Sequence, residues 1–153
     1  MNKTKILIVD DYQRNIEALA AIIQENDIEI YSASNADEAL NLLTLYEFGL
    51  ALLDVHMPDI DGFELARLIR GVKQYIRLPI IFVTAHDAYQ SDIFHGYEMG
   101  AVDILFKPLH PFVVKAKVRT FVELYNHRLK LETQMHELER LKAQADSANN
   151  AKT

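Results

Sequence analysis

Residues Leu50–Leu53 are apolar without interruption, and the run ends directly on Asp54. A strand exposed on one face alternates polar and apolar residues, so an unbroken run predicts a strand covered on both faces, as in a parallel sheet. Asp54 then sits at the carboxyl end of that strand, where open α/β sheets place their ligands. His56-Met57-Pro58-Asp59 follows. Pro58 lacks a backbone donor and biases Met57 away from helix, so this stretch is a loop. Asp61-Gly62 opens the next helix, with Asp61 as its N-cap.

The flanking segments fit the same architecture. Lys5–Val9, Ile28–Ala33, Pro79–Val83 and Ala101–Phe106 have strand length, and only Ile28–Ala33 alternates as an edge strand should. Between them lie helical spacings over 14–24, from Ser34 or Asn35 through Tyr46, over 63–69, and more weakly over 89–98; Gly71 and Gly100 serve as stops. A last helix begins near Pro111. Five strands alternating with five helices define an α/β fold with a doubly wound, five-stranded parallel sheet and right-handed crossovers.

Composition excludes several classes of function. The chain has no cysteine, which removes disulfides and thiolate metal sites and fits a reducing cytoplasm. No apolar run approaches the ~20 residues of a membrane span, and the amino-terminal run Ile6–Val9 is too short for a signal peptide. Residues 1–110 carry 17 acidic and 8 basic side chains, and residues 111–153 carry 5 and 8, so net charges of −9 and +3 sum to −6. The acidic front argues against direct nucleic-acid binding by that part.

The polar residues that close the strands are Asp10 and Asp11, Asp54, Thr84 and Lys107. A parallel sheet brings these ends to one rim, although they span almost 100 residues of sequence. Carboxylates so placed repel by about 3 kcal/mol per pair at ~5 Å and an effective dielectric near 20. A hard divalent cation relieves that cost, and Mg2+ suits a site with few carboxylates that must leave room for a phosphate. Lys107 offers a point charge to a phosphoryl oxygen, and the Thr84 hydroxyl and Ala85 amide offer hydrogen bonds. Asp54 is the candidate nucleophile, able to carry the phosphoryl group as an aspartyl phosphate.

In order, VDD, LLDVHMPDIDG, PIIFVTA and LFKP resemble the receiver domain of two-component response regulators over roughly residues 4–125. The resemblance implies the flavodoxin-like, CheY-like sheet of order 2-1-3-4-5. It implies that Asp54 accepts a phosphoryl group from the phosphohistidine of a histidine kinase or histidine phosphotransfer protein. Asp10, Asp11 and Asp54 would hold Mg2+ together with the main-chain carbonyl of His56. Thr84 and Lys107 would be the switch hydroxyl and active-site lysine, and Lys107-Pro108 a cis bond. Two departures stand out. Ile104 occupies a position where the family often has a mobile Tyr or Phe, so signal is expected to leave by backbone shifts or helix repacking. Histidines fill both variable positions beside the site, His56 and His86, and are expected to tune the lifetime of the phosphoryl group.

Past residue 112 the helical pattern continues. Leu124, Leu131, Leu138 and Ala145 recur every seven residues, with Phe121, Arg128, Met135 and Lys142 on a second seam. This predicts a parallel two-stranded coiled coil and a homodimer. The expected division is a receiver over 1–125 and a coiled-coil linker over 126–153. LERLKAQADSANNAKT is similar to the helix that leads into the phosphoacceptor box of hybrid sensor kinases, so a kinase or another output domain is expected to follow. His136-Glu137-Leu138 lacks the Thr-Pro of such a box and is not assigned to one. The chain is therefore read as a cytoplasmic signalling switch and not as an enzyme acting on a separate substrate. Two alternatives are a Mg2+-dependent aspartyl phosphatase, disfavoured by the missing D-x-D pair, and a phosphorylation-independent interaction module.

Overall fold

Each of the unbroken apolar runs becomes an inner strand of one sheet. The computed structural model describes residues 3–85, 97–98, 100 and 103–151. The strands are β1 (Thr4–Val9), β2 (Ile28–Ala33), β3 (Leu50–Asp54), β4 (Ile80–Ala85) and β5 (Asp103–Lys107). All pair in parallel, in the order β2-β1-β3-β4-β5. The alternating segment, β2, lies at an edge, where only Ile28 and Ala33 are buried. The helices are α1 (Gln13–Ile23), α2 (Ala36–Leu45), α3 (Gly62–Arg70) and α4 (Pro111–Ala151), with a short 3-10 turn at Lys73–Tyr75. Of the weak helix expected over 89–98, Tyr97 and Glu98 are helical and the remainder lies outside the described residues. Gly100, with φ +87°, stands where a left-handed stop was expected.

Strand pleating sorts the core into two layers. Leu7, Val9, Ala51, Leu53, Ile80, Phe82 and Ile104 pack toward α2 and α3. Ile6, Ile8, Leu50, Leu52, Ile81, Val83 and Leu105 pack toward α1 and the first turns of α4, whose Val114, Val118 and Val122 join that layer. Both faces of the inner strands are dry, which is why those strands carry no polar alternation.

Side-chain caps set the starts of two helices. Asn35 Oδ1 accepts from the Glu38 amide at 2.9 Å, and Asp61 Oδ1 accepts from the Glu64 amide at 2.8 Å. Of the two residues considered for the first cap, Ser34 instead donates to the Glu38 carboxylate through both its amide and its hydroxyl.

The chain divides into two compact units, Met1–Val122 and Glu123–Thr153. Within the first, α4 is tied down by ion pairs far apart in sequence. Arg119 donates to both carboxylate oxygens of Asp27, at 2.6 and 2.9 Å, and to Glu25 at 2.6 Å. Lys117 Nζ donates to Asp103 Oδ1 at 3.1 Å and to the Ile104 carbonyl at 3.4 Å. Arg119 holds the Asp27 carboxyl below the usual carboxylate range, chiefly through the direct hydrogen bond. Arg119→Ala is expected to cost about 1 kcal/mol at neutral pH, since the pair is partly solvated. A depressed carboxylate contributes stability that is lost as pH falls through its folded-state pKa. The gap between wild type and variant in urea denaturation therefore narrows below about pH 4.

Candidate functional site

The site begins with strand parity. Side chains alternate faces along a strand. Asp10 follows Ile8 by two residues, Asp54 follows Leu52, and Lys107 follows Leu105, so all three project on the α1 side of the sheet. Hydrophobic packing of the residues below each one fixes its position. A cleft of about 310 Å³ opens there between α1 and the strand ends, with Asp10, Asn15, Leu19, Asp54, Lys107 and Leu109 among its walls.

Asp10 and Asp54 are only 4% and 5% exposed. Asp10 Oδ1 accepts from the Tyr12 amide at 2.9 Å and from Asn15 Nδ2 at 3.3 Å, which anchors it to the start of α1. Lys107 Nζ lies 3.5 Å from Asp54 Oδ1 and 3.7 Å from Asp10 Oδ2, so one ammonium bridges two buried carboxylates. One cation does not balance three acids. Burial, followed by the charge of Asp10, pushes the Asp54 carboxyl up to about 6 in spite of Lys107.

Asp10, Asp11 and Asp54 each offer an oxygen, all within 4.8 Å of one another. Asp11 Oδ1 is buried and has no hydrogen-bond partner among the described residues. A buried acceptor without a donor is costly unless a cation meets it. An all-oxygen donor set with one unmet buried acceptor fits a hard divalent cation of the Mg2+ type.

Thr84, 4% exposed, follows Val83, the register partner of Asp54, near the end of β4, and its Oγ1 also lacks a partner among the described residues. The hydroxyl is therefore an uncommitted donor at the rim. Ala85 closes β4 in register with Lys107, so the two strand ends finish level. The Lys107-Pro108 bond is cis. The His56 side chain is exposed in the loop after β3, and His86 lies outside the described residues. Ile104 is 5% exposed and packs in the α2/α3 layer, its β4 register partner being Phe82.

Gly62 is the residue that sequence reasoning undervalued, as no more than the first residue of a helix. A Cβ there would meet the Asp54 carbonyl oxygen at 2.3 Å and Val55 Cα at 3.0 Å. The Gly62 amide donates to the Val55 carbonyl at 3.0 Å. The start of α3 thus rests on the backbone of Asp54 itself. The one local signal was the turn-prone run from Pro58 to the Asp61-Gly62 helix entry.

Comparison with known proteins agrees with this geometry. Residues 6–119 match the response regulator receiver domain. The transcriptional regulatory protein GltR of Pseudomonas aeruginosa is 36% identical over 121 residues, which are 79% of this chain and 50% of that protein. The chain spans about half the length of the curated relatives it matches. Among solved structures, a putative response regulator from Chloroflexus aurantiacus J-10-fl superposes with TM-score 0.75 at 30% identity, covering 80% of this chain and 99% of that one. A putative two-component system response regulator/GGDEF domain protein superposes with TM-score 0.73 at 28% identity, covering 81% of this chain and 51% of that one. With its 2-1-3-4-5 sheet and its acidic rim, the chain belongs to the response regulator receiver domain family and acts as a phosphoacceptor in two-component signalling.

Proposed function

We propose that Asp54 is the phosphoacceptor of this chain. The observation that carries the reading is the Lys107 ammonium, 3.5 Å from Asp54 Oδ1, beside an acid cluster with an unmet oxygen on Asp11. The donor is a phosphohistidine on a partner kinase or phosphotransfer protein. An Asp54 carboxylate oxygen attacks phosphorus, an O–P bond forms, the N–P bond breaks, and imidazole leaves with the electron pair. Asp10, Asp11, Asp54 and the His56 main-chain carbonyl would hold Mg2+. When bound, Mg2+ neutralises the clustered carboxylates and the phosphoryl oxygens.

The chain's own groups do the rest. Lys107 moves from its carboxylate pair to a phosphoryl oxygen. The Thr84 hydroxyl and the Ala85 amide donate to the other oxygens. His56, exposed beside the site, and His86 modulate access of the hydrolytic water and so the lifetime of the acyl phosphate. Because Ile104 is an aliphatic residue locked in the core, no aromatic side chain swings there. The outward signal instead travels along β5 to Asp103 and Lys117 on α4. We assign residues 1–125 to the receiver and 126–153 to a helical linker toward an output such as a kinase or GGDEF domain. We place the protein in the cytoplasm. No helix among the described residues is long and apolar enough to cross a membrane.

Incubation with a small acyl phosphate and Mg2+, followed by intact-mass measurement, tests the assignment. Wild type gains the mass of one phosphoryl group and Asp54→Ala gains none. An adduct that persists in Asp54→Ala, or multiple turnover on an added phosphoester, overturns it. Lys107→Ala still folds but is labelled about 10²-fold more slowly, the usual consequence of removing one preorganised charge partner of the transferring group. An unchanged labelling rate removes Lys107 from the mechanism.

A further inference from the structure

The distal part of α4 leaves an apolar stripe uncovered, interrupted by Arg128 and Lys142. Leu124, Leu131, Met135, Leu138 and Leu141 are between 48% and 64% exposed, although each sits at a coiled-coil seam or beside one. Phe121, counted on the seam from spacing alone, is instead partly buried against the α1-side core, so the free stripe starts at Leu124. A polar helix with so long an apolar face buries it against another helix.

We infer that residues 124–145 pair with a second copy of this chain as a parallel, in-register, two-stranded coiled coil whose register is set by the polar a residues Arg128 and Lys142. The charge pattern selects the orientation. Taking Leu124, Leu131 and Leu138 as position d, the flanking e positions hold Glu132, Glu139 and Asp146, and the g positions hold His127, Gln134 and Leu141. An antiparallel pair would set the acidic e rows against each other. A parallel pair sets each e residue against a g residue five positions earlier in the partner, joining Glu132 to His127 and Glu139 to Gln134 with no like charges opposed.

Arg128 occupies an a position among these leucines. Its guanidinium lies 5.4 Å from the centre of the Tyr125 ring and 3.9 Å from Glu132 Oε1. Its Nε is buried and has no hydrogen-bond partner among the described residues. In the in-register dimer two Arg128 side chains meet in one layer, each neutralised by its own Glu132. A slip by one heptad would set Arg128 and Lys142 each against a Met135 of the other copy, an apolar layer partner, where the in-register pair matches like with like. Polar residues at a positions, here Arg128 and Lys142, give up stability for register. The inference does not depend on phosphorylation at Asp54.

The full chain contains no cysteine, so the arrangement can be read by cross-linking. Leu124→Cys and Leu138→Cys, made separately, each oxidise to a disulfide-linked dimer at least tenfold faster than Thr133→Cys on the outer face. Only a parallel in-register pair does both, since an antiparallel pair that aligned 124 with 138 would separate identical positions by about 20 Å. Arg128→Leu tightens the dimer at least tenfold in sedimentation equilibrium and admits additional cross-linking registers. A monomer at 100 μM with and without acyl phosphate overturns the proposal. So does cross-linking of only one of the two seam positions, or equal rates at seam and outer face.

Discussion

Gly62→Ala is expected to destabilise the protein by about 3 kcal/mol and to slow phosphorylation as well. In an ordinary helix the same change adds up to about 1 kcal/mol of stability, because alanine has less backbone freedom to lose. Here the sign reverses. The new methyl would stand 2.3 Å from the Asp54 carbonyl oxygen and 3.0 Å from both the Asp54 carbonyl carbon and Val55 Cα. All three are backbone atoms of a strand end buried on both sides, so no side chain can rotate away. The space can come only from moving α3 or the end of β3, and the latter carries the proposed phosphoacceptor. A displacement near 1 Å at such a group costs about 10²-fold in rate. Gly71→Ala is the matched control. Its Cβ would meet only the Leu68 carbonyl at 3.3 Å, and its φ of −74° suits any residue, so its stability stays within about 0.5 kcal/mol of wild type. Urea denaturation of the two variants separates the cases. Equal midpoints would show that the α3–β3 contact is soft.

Gly62 also marks the limit of what the residues could disclose. The strands were legible because two-sided burial leaves its signature in composition. Leu50–Leu53 is apolar because the α2/α3 layer takes Ala51 and Leu53 while the α1 layer takes Leu50 and Leu52. Asp10, Asp54 and Lys107 were legible for the complementary reason, being charges at the carboxyl ends of largely apolar segments. Contacts that depend on backbone proximity across the sheet leave no such mark. Nothing local ties Gly62 to the Asp54 carbonyl, and nothing local pairs Arg119 with Asp27, 92 residues away. Phe121 was misleading on a different ground. Val114, Val118 and Val122 bury one face of α4 at helical spacing, and the same helix carries a seven-residue repeat further on. The two patterns overlap for one turn, where Phe121 satisfies both and the core takes it. Ile104 could be read as a departure from the family's aromatic position, but its burial beside Phe82 needed the β4–β5 register.

Asp54→Asn is expected to stabilise the protein in the presence of a chelator at pH 7.5, by about 2 kcal/mol. The Asp54 carboxyl ionises at about 6 in the folded chain, against an ordinary value of 3.8, because burial and the neighbouring Asp10 penalise its charge. The fold therefore holds the Asp54 proton more tightly than the unfolded chain does. Below about pH 4 both states are protonated and the charge costs nothing. As pH rises between about 4 and 6 the unfolded chain ionises freely while the folded chain is penalised, so stability falls, and it levels off above that window. The full difference corresponds to about 3 kcal/mol at 1.36 kcal/mol per pH unit, and solvent at the Lys107 side of the rim lowers it to about 2. The neutral amide of Asn avoids the penalty, so the variant is ahead at pH 7.5 and converges on wild type toward pH 4. Mg2+ acts in the opposite sense. A ligand that binds only the folded state adds about 2.7 kcal/mol at 100 times its dissociation constant, and this gain belongs to the protein with all three carboxylates. Titrating Mg2+ into both proteins at pH 7.5 should thus close or invert the gap in urea midpoint. If the wild type equals the variant in chelator, the carboxylates around Asp54 are not in electrostatic conflict. If Mg2+ stabilises both proteins equally, Asp54 is not among the ligands. The expected reversal ties the stability of the fold to the chemistry of the site, since the charge arrangement that strains the metal-free protein is the one that would receive a divalent cation and a phosphoryl group.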